Sequence, residues 1–184
     1  EELRRFRPHE PRRYLRRGVQ EGISRRFTAK HFKGVPRKRG AFFIVGALIT
    51  RGSNLVIKNI GINPTRTGIL NVLKRMGGNI VIENTRVLAG EPVADIIVRS
   101  SDLKATEITG AEVPFMIDEI PVIAVAATQA MGETRITGAS ELRVKETDRL
   151  KAITSEIKKM GAVAEELEDG LIIKGPVKLK GAKV

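Results

Sequence analysis

The stretch AFFIVGALITRGSNLVIKNIGINPTRTGILNVLKRMGG (Ala41–Gly78) decides the fold. Its first ten residues are a continuous apolar run, followed by Gly52 as a stop, which predicts a buried helix. Asn54–Ile60 sets Leu55 and Ile57 against Asn54 and Lys58 in the alternation of a strand. Thr65–Met76 places Ile69, Leu70, Leu73 and Met76 at helical spacing, and Gly77-Gly78 ends that helix. Two strands then follow, Ile80–Asn84 and Ala94–Arg99, with a loop containing Gly90 and Pro92 between them.

The same order recurs downstream. After an extended Lys104–Thr109, Pro121–Met131 is an apolar helix ended by Gly132, and Thr134–Gly138 is a strand. Thr147–Met160 is an amphipathic helix with Leu150, Ile153, Ile157 and Met160 on one stripe and Gly161 as its stop. Ala162–Glu166 and Leu171–Lys174 are strands turned at Asp169-Gly170. Gly52 answers to Gly132, Lys74–Gly78 to Lys158–Ala162, and Ile96-Ile97 to Ile172-Ile173, at offsets of 80, 84 and 76 residues. The pattern predicts an α/β unit packed against a copy of itself. Helices that are apolar nearly all round must be sequestered inside the strands.

Composition narrows the class. The chain has 184 residues, enough for one domain with a core, and 29% of them are charged, which fits a globular protein. No apolar run reaches the roughly 18 residues of a membrane span. The opening EELRRFRPHE has no apolar stretch behind its charges, so no signal peptide is expected. There is no cysteine, which excludes disulfides and thiolate chemistry and fits a reducing, cytoplasmic compartment. With only His9 and His31, neither a histidine metal site nor a Ser/His/Asp triad is expected.

The formal charge of +12 is uneven. Residues 1–40 hold 14 Lys+Arg against 4 Glu, whereas the remainder holds 19 basic and 17 acidic residues. Paired arginines, Pro8 and Pro11 mark residues 1–26 as a poorly ordered basic arm, and Phe27–Val35 as a short strand. Such arms bind nucleic acid, but this one has no aromatic platform, zinc spacing or recognition helix, so nucleic acid is not the expected partner.

Three strings can carry chemistry. In ELRVKETDRL (Glu141–Leu150), Lys145 and Arg149 are four apart and share a face if the helix reaches back that far. Two cations at a helix start can hold a phosphate or carboxylate. Glu146 would then lie at the azimuth of the apolar stripe, where a carboxylate binds a proton more readily. The plain alternative makes Thr147 the N-cap, gives Asp148 to the helix dipole and leaves Lys145 and Arg149 solvated. In PFMIDEIP (Pro114–Pro121), Asp118 stands just before a helix amid Met116, Ile117 and Ile120. It is either a capping acid or a functional base. NPTRTG (Asn63–Gly68) is first a turn and helix start, with Arg66 available to an anion. No Walker loop, GxGxxG or metal-ligand cluster appears, and no cofactor is expected.

Taken together, RVKETDRL, the DEIP before an apolar helix, NIGINPTRTG and the AFFIVGALI helix resemble the EPSP synthase (3-phosphoshikimate 1-carboxyvinyltransferase) family, in that order and at similar distances. The resemblance runs over Ala41–Val184 and starts near Phe27. The KETDR string distinguishes it from the related UDP-N-acetylglucosamine enolpyruvyl transferases. It implies the inside-out α/β barrel of enolpyruvyl transferases: βαβαββ units, three per lobe, with the helices inside. The chain is then expected to be a partial lobe, with an incomplete unit at about 27–99, a second at about 104–184, and an arm at 1–26 that is not family-like.

The implied reaction moves the enolpyruvyl group of phosphoenolpyruvate onto the 5-hydroxyl of shikimate 3-phosphate and releases phosphate, in aromatic amino acid biosynthesis. By the same resemblance, Asp118 accepts the proton of the attacking hydroxyl and Lys145 lies at the shikimate phosphate and assists proton transfer. Glu146 shuttles a proton at the enolpyruvyl methylene, and Arg149 clamps phosphoenolpyruvate. Glu141 falls where some members contact the shikimate ring. The family's VPGDxSSAAFF stretch is altered here: Val35-Pro36 is followed by Arg37–Gly40 and then AFF. Its N-terminal lysine-serine-arginine motif, Gly-rich loop, serine-serine-glutamine phosphate site and C-terminal arginine and lysine are not in this sequence. The chain alone is therefore expected to be incomplete as an enzyme. The alternatives are a basic-arm binding module, or a chain completed by a partner that supplies the missing lobe.

Overall fold

The computed structural model describes residues 32–33, 37–63 and 67–183. The expected arm at residues 1–26, most of Phe27–Val35 and Arg66 of the NPTRTG string lie outside them.

Among the described residues, twelve strands and α-helices follow one another in two rounds of strand, helix, strand, helix, strand, strand. The first round is β1 (Phe32–Lys33), α1 (Arg37–Ile49), β2 (Asn54–Gly61), α2 (Gly68–Arg75), β3 (Asn79–Leu88) and β4 (Glu91–Arg99). The second is β5 (Glu107–Ile108), α3 (Ile120–Gln129), β6 (Gly132–Ile136), α4 (Arg149–Lys159), β7 (Val163–Glu166) and β8 (Leu171–Gly175). Each round builds a four-stranded sheet of the same topology, β1-β2-β4-β3 and β5-β6-β8-β7. In both, the first pair is parallel and the other two are antiparallel.

The helices divide by pattern. On α3, Ile120, Val122, Ile123, Ala124, Ala126, Ala127 and Thr128 are all buried, so no polar face is left to meet water. It packs against α1, which buries Ala41, Ile44, Val45, Ala47 and Leu48, and each of the two also rests on its own sheet. On α2 and α4 only one stripe is buried: Ile69, Leu70, Val72 and Leu73 on the first, Leu150, Ile153, Thr154 and Ile157 on the second. The apolar helices are therefore inside and the strands outside, as the all-round apolar pattern predicts. Both rounds feed one core, from Ile44 and Leu48 to Ile123 and Ile136. No described helix is long and apolar enough to cross a membrane.

Several local expectations change. The loop expected around Gly90 is a tight hairpin: Ala89 and Gly90 have φ of 50° and 82°, and Leu88 already pairs with Glu91. Two successive left-handed residues match the strand twist, so β3 and β4 run up to the turn. Pro92 is accommodated near the start of β4, where its carbonyl accepts the Ile62 N–H at 2.9 Å.

The correspondence of Ile96 with Ile172 shifts by one residue. Leu55 pairs with Val98 and Ile57 with Ile96, while Thr134 pairs with Ile173 and Ile136 with Leu171. By register, Ile96 answers to Leu171 and Val98 to Ile173. A one-residue slip moves a side chain to the other face of its sheet, so the shift decides which residues belong to the core.

The first sheet also carries two irregularities that periodicity does not reveal. Asn59 and Asn84 adopt φ of 58° and 52°, each where the strand register breaks. Asp95, 8% exposed, joins them. Its Oδ1 accepts from the Asn59 N–H at 3.0 Å and from Arg86 Nη2 at 3.3 Å, and its Oδ2 accepts from Asn84 Nδ2 at 3.1 Å. These bonds, led by the Asn59 amide, hold the carboxyl below the usual aspartate range against the opposing effect of burial.

Candidate functional site

The candidate residues sit on two segments of the second round. Before α3, the chain makes two short 3-10 turns, Val113–Phe115 and Ile117–Glu119. Asp118 lies in the second. Before α4, another 3-10 turn, Ser140–Val144, is followed by the extended residue Lys145 (φ −77°, ψ −170°).

Backbone contacts bring these segments together. Thr137 N–H donates to the Ile108 carbonyl at 3.0 Å. Gly110 and Gly138 touch through their backbones: a Cβ on Gly138 would stand 2.4 Å from the Gly110 Cα. Gly138 N–H donates to Asp169 Oδ2 at 2.7 Å and Ala139 N–H to the Asp169 carbonyl at 2.6 Å, so the β7–β8 turn supports the second segment. From the first round, Arg75 at the end of α2 binds Glu112 Oε1 at 2.7 Å, the Glu107 carbonyl at 2.7 Å and Thr106 Oγ1 at 2.9 Å. That clamp steadies the approach to Asp118. Glu112 is held below the usual glutamate range, chiefly by Arg75.

The side chains converge around Arg149, the first residue of α4. Its Nη2 lies 2.9 Å from Glu146 Oε2, and its Nη1 lies 3.5 Å from Asp118 Oδ1, a long ion pair. Beside it, Lys145 Nζ contacts Glu141 Oε1. Both cations are half-buried, at 28% and 29% side-chain exposure, while Glu146 is 80% exposed. All five residues named from the sequence therefore lie in one neighbourhood, as two carboxylate-neutralised cations on an open surface.

Four sequence arguments about this region need correction. Lys145 and Arg149 do not share a helix face, because α4 begins at Arg149 and Lys145 is extended. Lys145 pairs with Glu141, and Arg149 with Glu146 and Asp118. Glu146 is not pressed toward the core, and its carboxyl is not easier to protonate. Its own backbone N–H, and then Arg149, hold it below the usual glutamate range. Nor is Thr147 the N-cap: Asp148 is, accepting the Lys151 N–H at 3.0 Å. Asp118 is not the N-cap of α3, whose cap position is Glu119.

One residue escaped the sequence reading altogether. Arg143 donates Nη1 to Asp148 Oδ2 and Glu166 Oε1, both at 2.8 Å, Nε to the Glu168 carbonyl at 2.6 Å, and Nη2 to the Leu167 carbonyl. It stands within the RVKETDRL string, but nothing in that string indicates that its partners lie on the β7–β8 hairpin.

A crevice of about 690 Å³ opens at the other end of α3, lined by Leu48, Arg51, Asp102, Gln129 and Met131 among others. It contains none of the candidate residues and lacks a comparable concentration of paired charges. The candidate residues instead lie on the open surface at the start of α3 and α4. Among the described residues, no three histidine, cysteine or carboxylate groups converge as metal ligands would.

Comparison with known proteins bears on the family and the fold. The family model described as EPSP synthase (3-phosphoshikimate 1-carboxyvinyltransferase) matches residues 37–184. The 3-phosphoshikimate 1-carboxyvinyltransferase of Petrotoga mobilis is 59% identical over 141 residues, covering 77% of this chain and 33% of the relative. That of Endomicrobium trichonymphae is 57% identical, covering 73% and 31%. Among solved structures, EPSP synthase from Acinetobacter baumannii superposes with a TM-score of 0.75 at 46% identity, covering 78% of this chain and 33% of that one. The enolpyruvyl transferase NikO of Streptomyces tendae, at 18% identity and a TM-score of 0.55, shares the fold. The chain thus spans about a third of the length of the relatives it matches. With matching sequence and matching fold, the chain belongs to the EPSP synthase (3-phosphoshikimate 1-carboxyvinyltransferase) family.

Proposed function

We propose that this chain supplies one wall of an EPSP synthase active site, which transfers the enolpyruvyl group of phosphoenolpyruvate to the 5-hydroxyl of shikimate 3-phosphate. The observation that carries this reading is the convergence of Asp118 and Glu146 on Arg149 from two segments that the fold draws together.

In this scheme the 5-hydroxyl oxygen bonds to C2 of phosphoenolpyruvate and its proton passes to Asp118. The methylene carbon takes up a proton and later gives one back, with Glu146 and Lys145 positioned to handle it. The bond from C2 to the phosphate oxygen breaks and phosphate leaves. Lys145 and Arg149 attract the anionic groups, Lys145 at the shikimate phosphate and Arg149 at phosphoenolpyruvate, with Glu141 near the shikimate ring.

The ion pairs give this scheme an order of events. Each cation is neutralised by a neighbouring carboxylate, so binding an anionic substrate is an exchange of partners. Glu146, held ionised by its own backbone N–H and then by Arg149, has to gain a proton before it can give one to the methylene. It becomes an effective acid only when Arg149 turns to the substrate, and it acts as the base when that carbon later gives a proton back. We assign the reaction to the cytoplasm on the absence of cysteine.

The wall alone does not enclose two substrates. Excluding water and aligning both of them takes a second surface closing on this one. The test measures phosphate release from the two substrates by this chain, alone and mixed with a separately produced chain carrying the rest of a relative. Release only in the mixture, and its loss in Asp118→Asn, is the expected result. Turnover by this chain alone that survives Asp118→Asn would overturn the reading.

A further inference from the structure

Lys145, Glu146 and Thr147 belong to no helix or strand, yet Lys145 and Glu146 carry much of the proposed chemistry. What gives this short bridge one conformation lies at its two ends. Arg143, at the end of the 3-10 turn, and Asp148, at the N-cap of α4, are joined by a 2.8 Å ion pair. The pair closes the chain from 143 to 148 into a loop with the three residues at its rim. Asp148 also accepts the Lys151 N–H, so the closure is tied to the first turn of α4. Arg143 is tied in turn to the β7–β8 hairpin through Glu166 and the carbonyls of Leu167 and Glu168. All three guanidinium nitrogens are engaged, on partners from the N-cap, one strand and one turn.

We propose that Arg143 is the positioning residue of the site: its fork locks the 143–148 loop onto the β7–β8 hairpin, so that Lys145 and Glu146 are presented beside Arg149 in one conformation. This rests on the functional reading above for its consequence, though not for its geometry. Arg143 is aimed at Asp148, Glu166 and two backbone carbonyls, and so acts through its neighbours. The mutual stabilisation is visible from both sides. Glu166 and Asp148 reinforce the Arg143 charge, and Arg143 helps to keep Asp148 ionised after its backbone bond to Lys151. A lysine has one nitrogen and no planar fork, so it cannot reproduce four bonds directed to separate elements.

The test uses the full chain and measures backbone order by amide relaxation in wild type, Arg143→Gln, Arg143→Lys and Asp148→Ser. Serine keeps an N-cap acceptor while removing the ion pair, so that variant carries the test if Arg143→Gln does not fold. The wild-type amides of Lys145, Glu146 and Thr147 are expected near the rigid order parameter of about 0.85, falling below about 0.6 in all three variants. The amides of β2 and α1 keep their wild-type values. Inorganic phosphate, titrated against the Lys145 and Arg149 amide shifts, is expected to bind the variants at least about tenfold more weakly. Unchanged order in the folded variants, full rescue by lysine, or unchanged phosphate affinity in a mobile variant would each overturn the proposal. Wild-type protein that shows no phosphate response, with variants that do become mobile, would leave Arg143 as the loop's positioning residue and count against the proposed function instead.

Discussion

Arg149 Nη1 stands 3.5 Å from Asp118 Oδ1, although the two residues are 31 positions apart, Arg149 at the start of α4 and Asp118 in the turn before α3. The same guanidinium holds Glu146 at 2.9 Å. Arg149 therefore links the start of α4 with the turn before α3, where the proposed proton acceptor lies. The ion pairs themselves do little to build this arrangement. The scaffold beneath them, the Gly110–Gly138 contact and the Thr137–Ile108 hydrogen bond, sets the separation.

That division between scaffold and ion pair predicts how Arg149→Gln behaves. Partly exposed ion pairs are worth about 0.2–1 kcal/mol, so urea unfolding should place the variant within about 1 kcal/mol of wild type. Its affinity for inorganic phosphate should fall about tenfold or more, because a charge-assisted pair is lost. A stability loss above about 2 kcal/mol would make Arg149 a structural residue instead.

Acid should destabilise the fold through a definite set of groups. Asp95, Glu112 and Asp148 are all held below their ordinary ranges, each mainly by a hydrogen bond to its ionised form. Between the folded and unfolded values the unfolded chain binds more protons, so stability rises with pH there. It is fully present above the ordinary carboxylate range, about pH 4–4.5, and is lost as the pH falls through the folded values. Urea midpoints measured across that range should fall with acid, and Asp95→Asn should flatten the slope. An Asp95→Asn slope equal to that of wild type would remove Asp95 from the set.

Gly138→Ala should be one of the more damaging small substitutions. The residue has a φ of 68°, and the added Cβ would stand 2.4 Å from one backbone atom of Gly110 and 2.8 Å from another. Left-handed strain plus an unyielding contact should cost at least about 2 kcal/mol and disturb the amide shifts around Asp118. Gly46 in α1 is the internal control, since a Cβ there meets nothing within 4 Å. Gly46→Ala should stabilise the chain by about 0.5–1 kcal/mol, through helix propensity alone. Thermal melts that ranked the two the other way would contradict the close contact.

Thr134 answers by register to Leu55, and both are fully buried. Among the described residues the Thr134 hydroxyl has no hydrogen-bond partner. A buried hydroxyl without a partner costs about 1–3 kcal/mol, so Thr134→Val should raise the urea midpoint by the equivalent of about 1 kcal/mol. A lower midpoint would mean that the hydroxyl is satisfied in solution.

The sequence by itself determined the order of the elements, their doubling and which helices lie inside. Those properties follow from local periodicity and from stops such as Gly52, Gly77, Gly132 and Gly161, all of which have positive φ. An all-round apolar helix such as α3 can only be buried, whatever its neighbours are. The string around Lys145 and Arg149 also marked the candidate site, by resemblance to a family, though not how that site is built. Tertiary structure alone decided the one-residue register that pairs Val98 with Leu55 and Ile173 with Thr134, since neighbouring apolar residues on a strand offer either face. It also decided that Lys145 precedes α4, that Asp148 caps it, and that Glu146 is ionised on the surface rather than protonated near the core. Arg143 and Asp95 show the reason most plainly. Each is one charged residue among many in the sequence, and its importance comes from partners that only folding brings within about 3 Å.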